Sequence, residues 1–348
     1  MSETSLQHDE PVANPARSFG KQVRSMAGYT IVTALMFVSP LFVFIPASLF
    51  HCGIRNGRRA AWLLLVLSAA LAALLIYPSA AAATAADAAT SYGYLLGLFL
   101  AIAMPALAVL PMVERGEKFG RVLLYALVLS IVGLAVTELT MRMASGFSPY
   151  AAQVAEAHDT AAKLVAGYQK AGFPPDAVSF LRKWMDVGSY CLPAFLLVDV
   201  TIVFVFSLVM FGRLRAWRDV ALRRSAPTAA PAAAPYRFRN LSLPEWLLFA
   251  FVIGGLSPLA SGMAQQIGAN VLAMVSFLYF LQGLAIFRSF VAATAVGVVG
   301  SFFAWTLLIV LTLTGISPLL LCIAGLFDSF FDFRHFNRKD HSDESHSH

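Results

Sequence analysis

Apolar runs about as long as a bilayer is thick recur throughout this sequence, and they limit its fold more than any other feature. A helix needs roughly 20 apolar residues to cross a hydrocarbon core of about 30 Å. Eight stretches approach or reach that length: Ala60–Tyr77, Tyr92–Val113, Val122–Met141, Gly188–Phe211, Leu243–Leu259, Ile267–Phe287, Val291–Leu313 and Ser317–Phe331. With 59% hydrophobic and 13% charged residues, the chain is far from the composition of a soluble domain. No ten-residue segments of alternating polarity recur, which excludes a membrane barrel. The predicted class is therefore all-α: a polytopic transmembrane helical bundle of about eight full spans, with an N-terminal re-entrant or broken hairpin and the lipid bilayer as its solvent.

The hairpin follows from a conflict of charge. Met26–Phe50 is apolar but interrupted by Pro40 and Pro46, with Arg17, Lys21 and Arg24 before it and Arg55, Arg58 and Arg59 after it. A single crossing would put these basic clusters on opposite faces, against the bias of Lys and Arg toward the cytoplasmic side. A break near Ser39 and Pro40 turns the run back on itself, which is tolerated where protein covers the irregular backbone. The alternative, one full crossing, makes nine spans and an outside N-terminus.

Charge also sets the organisation. Residues 1–25 read as a cytoplasmic tail lacking a signal-peptide core. Residues 26–212 form an N-terminal transmembrane half. Its outer loop, 143–187, repeats Tyr150, Val154, Ala161, Leu164, Val165 and Tyr168 at helical spacing and is expected to hold an amphipathic helix. Residues 213–242 are a basic linker with the Pro/Ala centre Ser225–Pro235. Residues 243–333 form the second transmembrane half and 334–348 a cytoplasmic tail. An even number of crossings puts both termini in the cytoplasm, as in a multi-pass protein of the bacterial inner membrane. The net charge of +6 is read as the arginines that set this topology, without nucleic acid as a partner.

Polar groups inside spans are costly and mark the residues to watch. The run Asn270–Phe290 (NVLAMVSFLYFLQGLAIFRSF) carries three: Asn270, Gln282 and Arg288. Counted from Gly188, Asp199 lies about 16 Å into its span at 1.5 Å per residue. It reads either as a ligand or proton site or as an aspartate satisfied by a neighbouring helix. Asn270 and Gln282 lie about 18 Å apart along one helix, and each reads either as a solute contact or as an interhelical hydrogen bond. Arg288, Asp328, Asp332 and Arg334 are expected to form a structural ion-pair layer, with Arg288 facing Asp328. Glu138 and Arg142 read as a surface i,i+4 pair. The three cysteines, Cys52, Cys191 and Cys322, lack metal-ligand spacing. No catalytic constellation, cofactor motif or metal site is present in the sequence, so no enzyme is expected.

The strings FLYFLQGLAIFRSF (Phe277–Phe290) and GLFDSFFDFR (Gly325–Arg334) resemble the YybS-like membrane proteins of bacteria over roughly Asn240–Arg334. That family is grouped with transporter-like proteins that include the vitamin-binding subunits of energy-coupling-factor transporters. The resemblance implies a helical bundle with a small-molecule cavity. The expectation is thus a small-molecule-binding or transport component lined by Asp199, Gln282 and Asn270. The alternative is a non-catalytic scaffold or partner subunit of an envelope complex, assembled with another membrane protein or a second copy.

Overall fold

The computed structural model describes residues 15–213, 236–294 and 297–331, and among them every regular element is helical. Five helices are long and apolar enough to cross a membrane: 58–82, 87–114, 119–145, 192–213 and 263–292. The last two apolar helices, Gly297–Leu313 and Ile316–Phe331, are bent by 108° at a short break, and counted as one broken span they make six. The all-α membrane bundle is as the composition requires, but the expected eight spans exceed this number. Leu243–Leu259 contributes only the short helix Leu247–Gly255 and a 3-10 turn, and the final two segments share one bent element.

The N-terminal hairpin forms. Helix α1 (Pro15–Phe37) gives way to a 3-10 turn at Pro40–Phe44, and α2 (Ile45–Asn56) returns alongside it. The Ser39 hydroxyl accepts from Leu41 N–H to cap the turn. Both prolines sit in the first turn of their helices, where no backbone donor is needed. Thr33 meets Ser48 at 3.3 Å and Met26 Sδ meets Cys52 Sγ at 4.0 Å, an antiparallel register that brings both ends of the run together. At twelve residues α2 is too short to cross. It lies in the bundle core instead, with Ile45, Leu49, Phe50 and Cys52 fully buried. The carbonyl of Val43, left without a helical donor by the turn, accepts from Ser207 at 2.7 Å.

The remaining helices are α3 (Arg58–Ala82), α4 (Ala85–Leu98), α5 (Met104–Glu114), α6 (Phe119–Ser145), α7 (Pro149–Lys170), α8 (Pro175–Tyr190), α9 (Leu192–Arg213), α10 (Leu247–Gly255), α11 (Met263–Ala293), α12 (Gly297–Leu313) and α13 (Ile316–Phe331). A π-turn at Phe99–Ala103 joins α4 to α5. Its backbone presses on Gly133 of α6.

Two faces of the bundle can be told apart. On one, Arg58 at the start of α3 pairs with Glu114 at the end of α5. There Gly120 of α6 and Gly212 of α9 also press on the backbone of Ser242 and Tyr236. This is the basic face. At the other end, the hairpin face, the expected amphipathic helix of the outer loop is α7, which α8 joins as a helical hairpin. Phe180, Trp184, Val187 and Tyr190 of α8 are exposed, the composition of a helix at a membrane interface.

Candidate functional site

Asn270 lies near the hairpin face and holds a helix junction. Its Oδ1 accepts from Ala194 N–H at 2.9 Å and its Nδ2 donates to the Tyr190 carbonyl at 2.8 Å. These groups belong to the end of α8 and the first turn of α9, where helical backbone lacks partners of its own. A third bond, to Gln266 O at 2.8 Å, fixes the amide on its own helix. Asn270→Ala is therefore expected to cost about 1–3 kcal/mol. The loss should localise as faster amide exchange at residues 188–196, and exchange unchanged there would show that the junction does not depend on this side chain.

Gln282 is 1% exposed and bridges two elements in the same manner. Its Oε1 accepts from Leu243 N–H at 3.1 Å and its Nε2 donates to Asp328 Oδ2 at 3.0 Å. Because Leu243 follows the segment packed on Gly120 and Gly212, Gln282 lies toward the basic face. Both amides are thus engaged in structural hydrogen bonds at opposite ends of α11.

The ion pair expected between Arg288 and Asp328 does not form. Arg288 is exposed and Asp328 is 8% exposed, and the ion pairs among the described residues do not join them. A neutral amide, Gln282, meets the carboxylate instead, because the α11 face that presses on α13 carries residues 279, 282 and 283, and Arg288 lies off that face. Asp332 and Arg334 lie outside the described residues, as do most of the basic linker, residues 1–14 and the C-terminal tail.

Asp199 is not where the continuous-span count placed it. The chain breaks at Cys191, between α8 and α9, so Asp199 is seven residues into its helix, about 11 Å from its start. It is exposed on the outer surface of α9, in line with exposed Phe195, Ile202, Phe206 and Met210. The structure therefore does not bring Asp199, Gln282 and Asn270 together.

Two cavities open near the hairpin face instead. One of about 240 Å³ lies between α6, α7 and α9, with Leu134, Leu196 and Leu197 among its apolar residues and Thr137, Glu138 and Gln153 as its polar ones. The Thr137 hydroxyl donates to Gly133 O at 2.8 Å. The Glu138 carboxylate accepts from the Ser148 hydroxyl and, at 3.0 Å, from Tyr150 N–H, so it caps the first turn of α7. Its i,i+4 partner Arg142 is 3.5 Å away. The i,i+4 spacing predicts the pair but not the cap, although Ser148-Pro149, a capping residue before a first-turn proline, announces a helix start that a nearby carboxylate can serve. The second cavity, about 300 Å³, lies between α7, α8 and the start of α9 and includes Trp184, Met185, Leu192 and Phe195.

Among the described residues no cluster of three or more His, Cys, Asp or Glu side chains could hold a metal. The three cysteines are free, with Cys52 buried.

Fold and packing define a polytopic α-helical integral membrane protein. Its match to the predicted membrane protein family DUF2232 runs over residues 28–329, and the chain belongs to that family. No curated protein and no solved structure matches it.

Proposed function

We propose that this protein is a small-molecule-binding component of the membrane, whose ligand enters the 240 Å³ cavity beside α7 from the hairpin face. The observation that carries the reading is the state of the cavity's polar groups. Thr137 and Glu138 are engaged with backbone and with Ser148, which leaves an apolar pocket with the exposed amide of Gln153 at hand. Such a site suits an apolar or amphiphilic molecule with one polar group. The resemblance to YybS-like proteins, a family grouped with transporter-like proteins, supports the same reading. On this reading the arginines of the basic face support a cytoplasmic position for that face and for both termini in a bacterial inner membrane. Binding is favoured over translocation because Asn270 and Gln282, the polar groups of α11 that could have lined a path, hold helices together.

The test is purification in native lipid with mass spectrometry of bound small molecules, comparing wild type with Leu134→Trp. The indole fills the cavity, so the co-purifying species is expected to fall about tenfold while the thermal midpoint stays within a few degrees. Equal occupancy in the variant, or no bound species in wild type, would overturn the proposal. The second reading, a partner subunit of a larger assembly, is favoured by Asp199.

A further inference from the structure

Helix α9 contains one ionisable group within its length before Arg213, and it faces away from the bundle. Asp199 is exposed, and no hydrogen bond or ion pair with the other described residues satisfies it. It lies about 11 Å from one end of a 22-residue helix and about 21 Å from the other, too deep for a short side chain to reach water. Its neighbours on the stripe, Phe195, Ile202, Phe206 and Met210, are 39–53% exposed, so hydrocarbon would surround the carboxyl in an isolated chain. A lipid-facing carboxylate at this depth is unfavourable on every insertion scale, and such groups usually meet a partner.

We propose that this face of α9 docks a transmembrane helix of a different protein, and that the helix presents a lysine or arginine to Asp199. Charge and depth select the occupant. A second copy shares the orientation of the first in the membrane, so only groups at the same depth can meet. Arg288, the exposed cation of α11, lies eighteen residues beyond Asn270, which is level with the first turn of α9. It is therefore about 27 Å down its helix, well below Asp199. Among the described residues of α9 and α11, a second copy offers Asp199 at this depth its own counterpart, another acid. A cationic helix neutralises the carboxylate, and its apolar flanks cover Phe195, Ile202 and Phe206. This inference is independent of the cavity reading, because Asp199 is not among the residues lining the α6–α7–α9 cavity.

Site-specific photo-crosslinking in cells tests it, with benzoylphenylalanine at Ile202 or Phe195 in chains carrying Asp199, Asp199→Asn or Asp199→Leu. The expected result is an adduct with one other membrane protein. The crosslinked peptide should map to a span with Lys or Arg at matching depth, and yield should drop at least fivefold in both Asp199 variants. Asp199→Leu removes a charge from a lipid-facing surface, so it should fold at least as well as wild type, and its thermal midpoint checks this. A Lys→Asp change in the mapped partner should restore crosslinking to Asp199→Lys. An adduct of twice the chain mass, adducts with lipid alone, or yields indifferent to residue 199 would each overturn the proposal.

Discussion

Replacing Gly283 by leucine is expected to separate α11 from α13 and leave little monodisperse protein. The two helices meet backbone to backbone at Gly283 and Gly325. A Cβ added at 283 would stand 2.6 Å from the carbonyl carbon of Leu321 and 2.9 Å from its Cα. At Gly325 it would stand 2.8 Å from the nitrogen of Gly283 and 2.9 Å from the carbonyl carbon of Tyr279. These neighbours are main-chain atoms and cannot rotate aside, so the helices must move apart. Within lipid, association rests on close packing and on hydrogen bonds rather than on burying apolar surface from water, which is why small residues recur at such crossings. Overpacking costs about 1–3 kcal/mol where side chains can adjust, and more where they cannot. The thermal midpoint of purified Gly283→Leu should fall by about 10 °C or more. Gly255 is the control: nothing lies within 4 Å of a Cβ placed there, and Gly255→Leu should leave the midpoint unchanged. A tolerated leucine at 283 would mean that the α11–α13 contact is not required for the fold.

The same crossing shows what the sequence could and could not reveal. The apolar runs and the basic clusters were enough to identify the membrane bundle, the N-terminal hairpin and the amphipathic α7, because each depends on local composition and charge. Pro40 and Pro46 announced the turn by the chemistry of one residue. The number of crossings was less legible. Gly297–Leu313 and Ile316–Phe331 are each apolar enough to suggest a span; the 108° bend between them sits at Gly315, whose φ of 76° ends α12, and such a stop does not say whether two spans or one bent element follow. Asp199 was counted from Gly188 as if the span were continuous, although Pro193, a first-turn proline, announces the start of α9 just after Cys191. Gln282 and Asn270 were recognised as polar groups needing partners. Those partners, Leu243 N–H, Tyr190 O and Ala194 N–H, are backbone atoms from distant segments, and a sequence does not display which backbone groups a fold leaves unpaired. Asp328 was expected to face Arg288, whereas the buried amide of Gln282 donates to it.

That amide supplies the second large effect. Gln282→Leu removes the acceptor for Leu243 N–H and the donor to Asp328 in one step, at a site where Leu243 is 7% and Asp328 8% exposed. Leaving a buried donor without an acceptor costs about 1–3 kcal/mol, and a hydrogen bond to a charged group is worth about 1.5–3 kcal/mol. The two losses share one side chain and do not add fully, so a destabilisation of about 2–4 kcal/mol is expected. Gln282→Glu separates the two roles. Its carboxylate keeps the acceptor for Leu243, but it places a second acid against Asp328, where the Gln282 nitrogen now stands 3.0 Å away. Two acids at that distance repel one another and lose the hydrogen bond that the amide donates. The thermal midpoint of Gln282→Glu should therefore fall below wild type although the acceptor for Leu243 is kept. If the glutamate variant were as stable as wild type, its carboxyl would not be facing Asp328. If the leucine variant came within about 0.5 kcal/mol of wild type, Gln282 would not be the brace between α11, α13 and the segment that precedes α10.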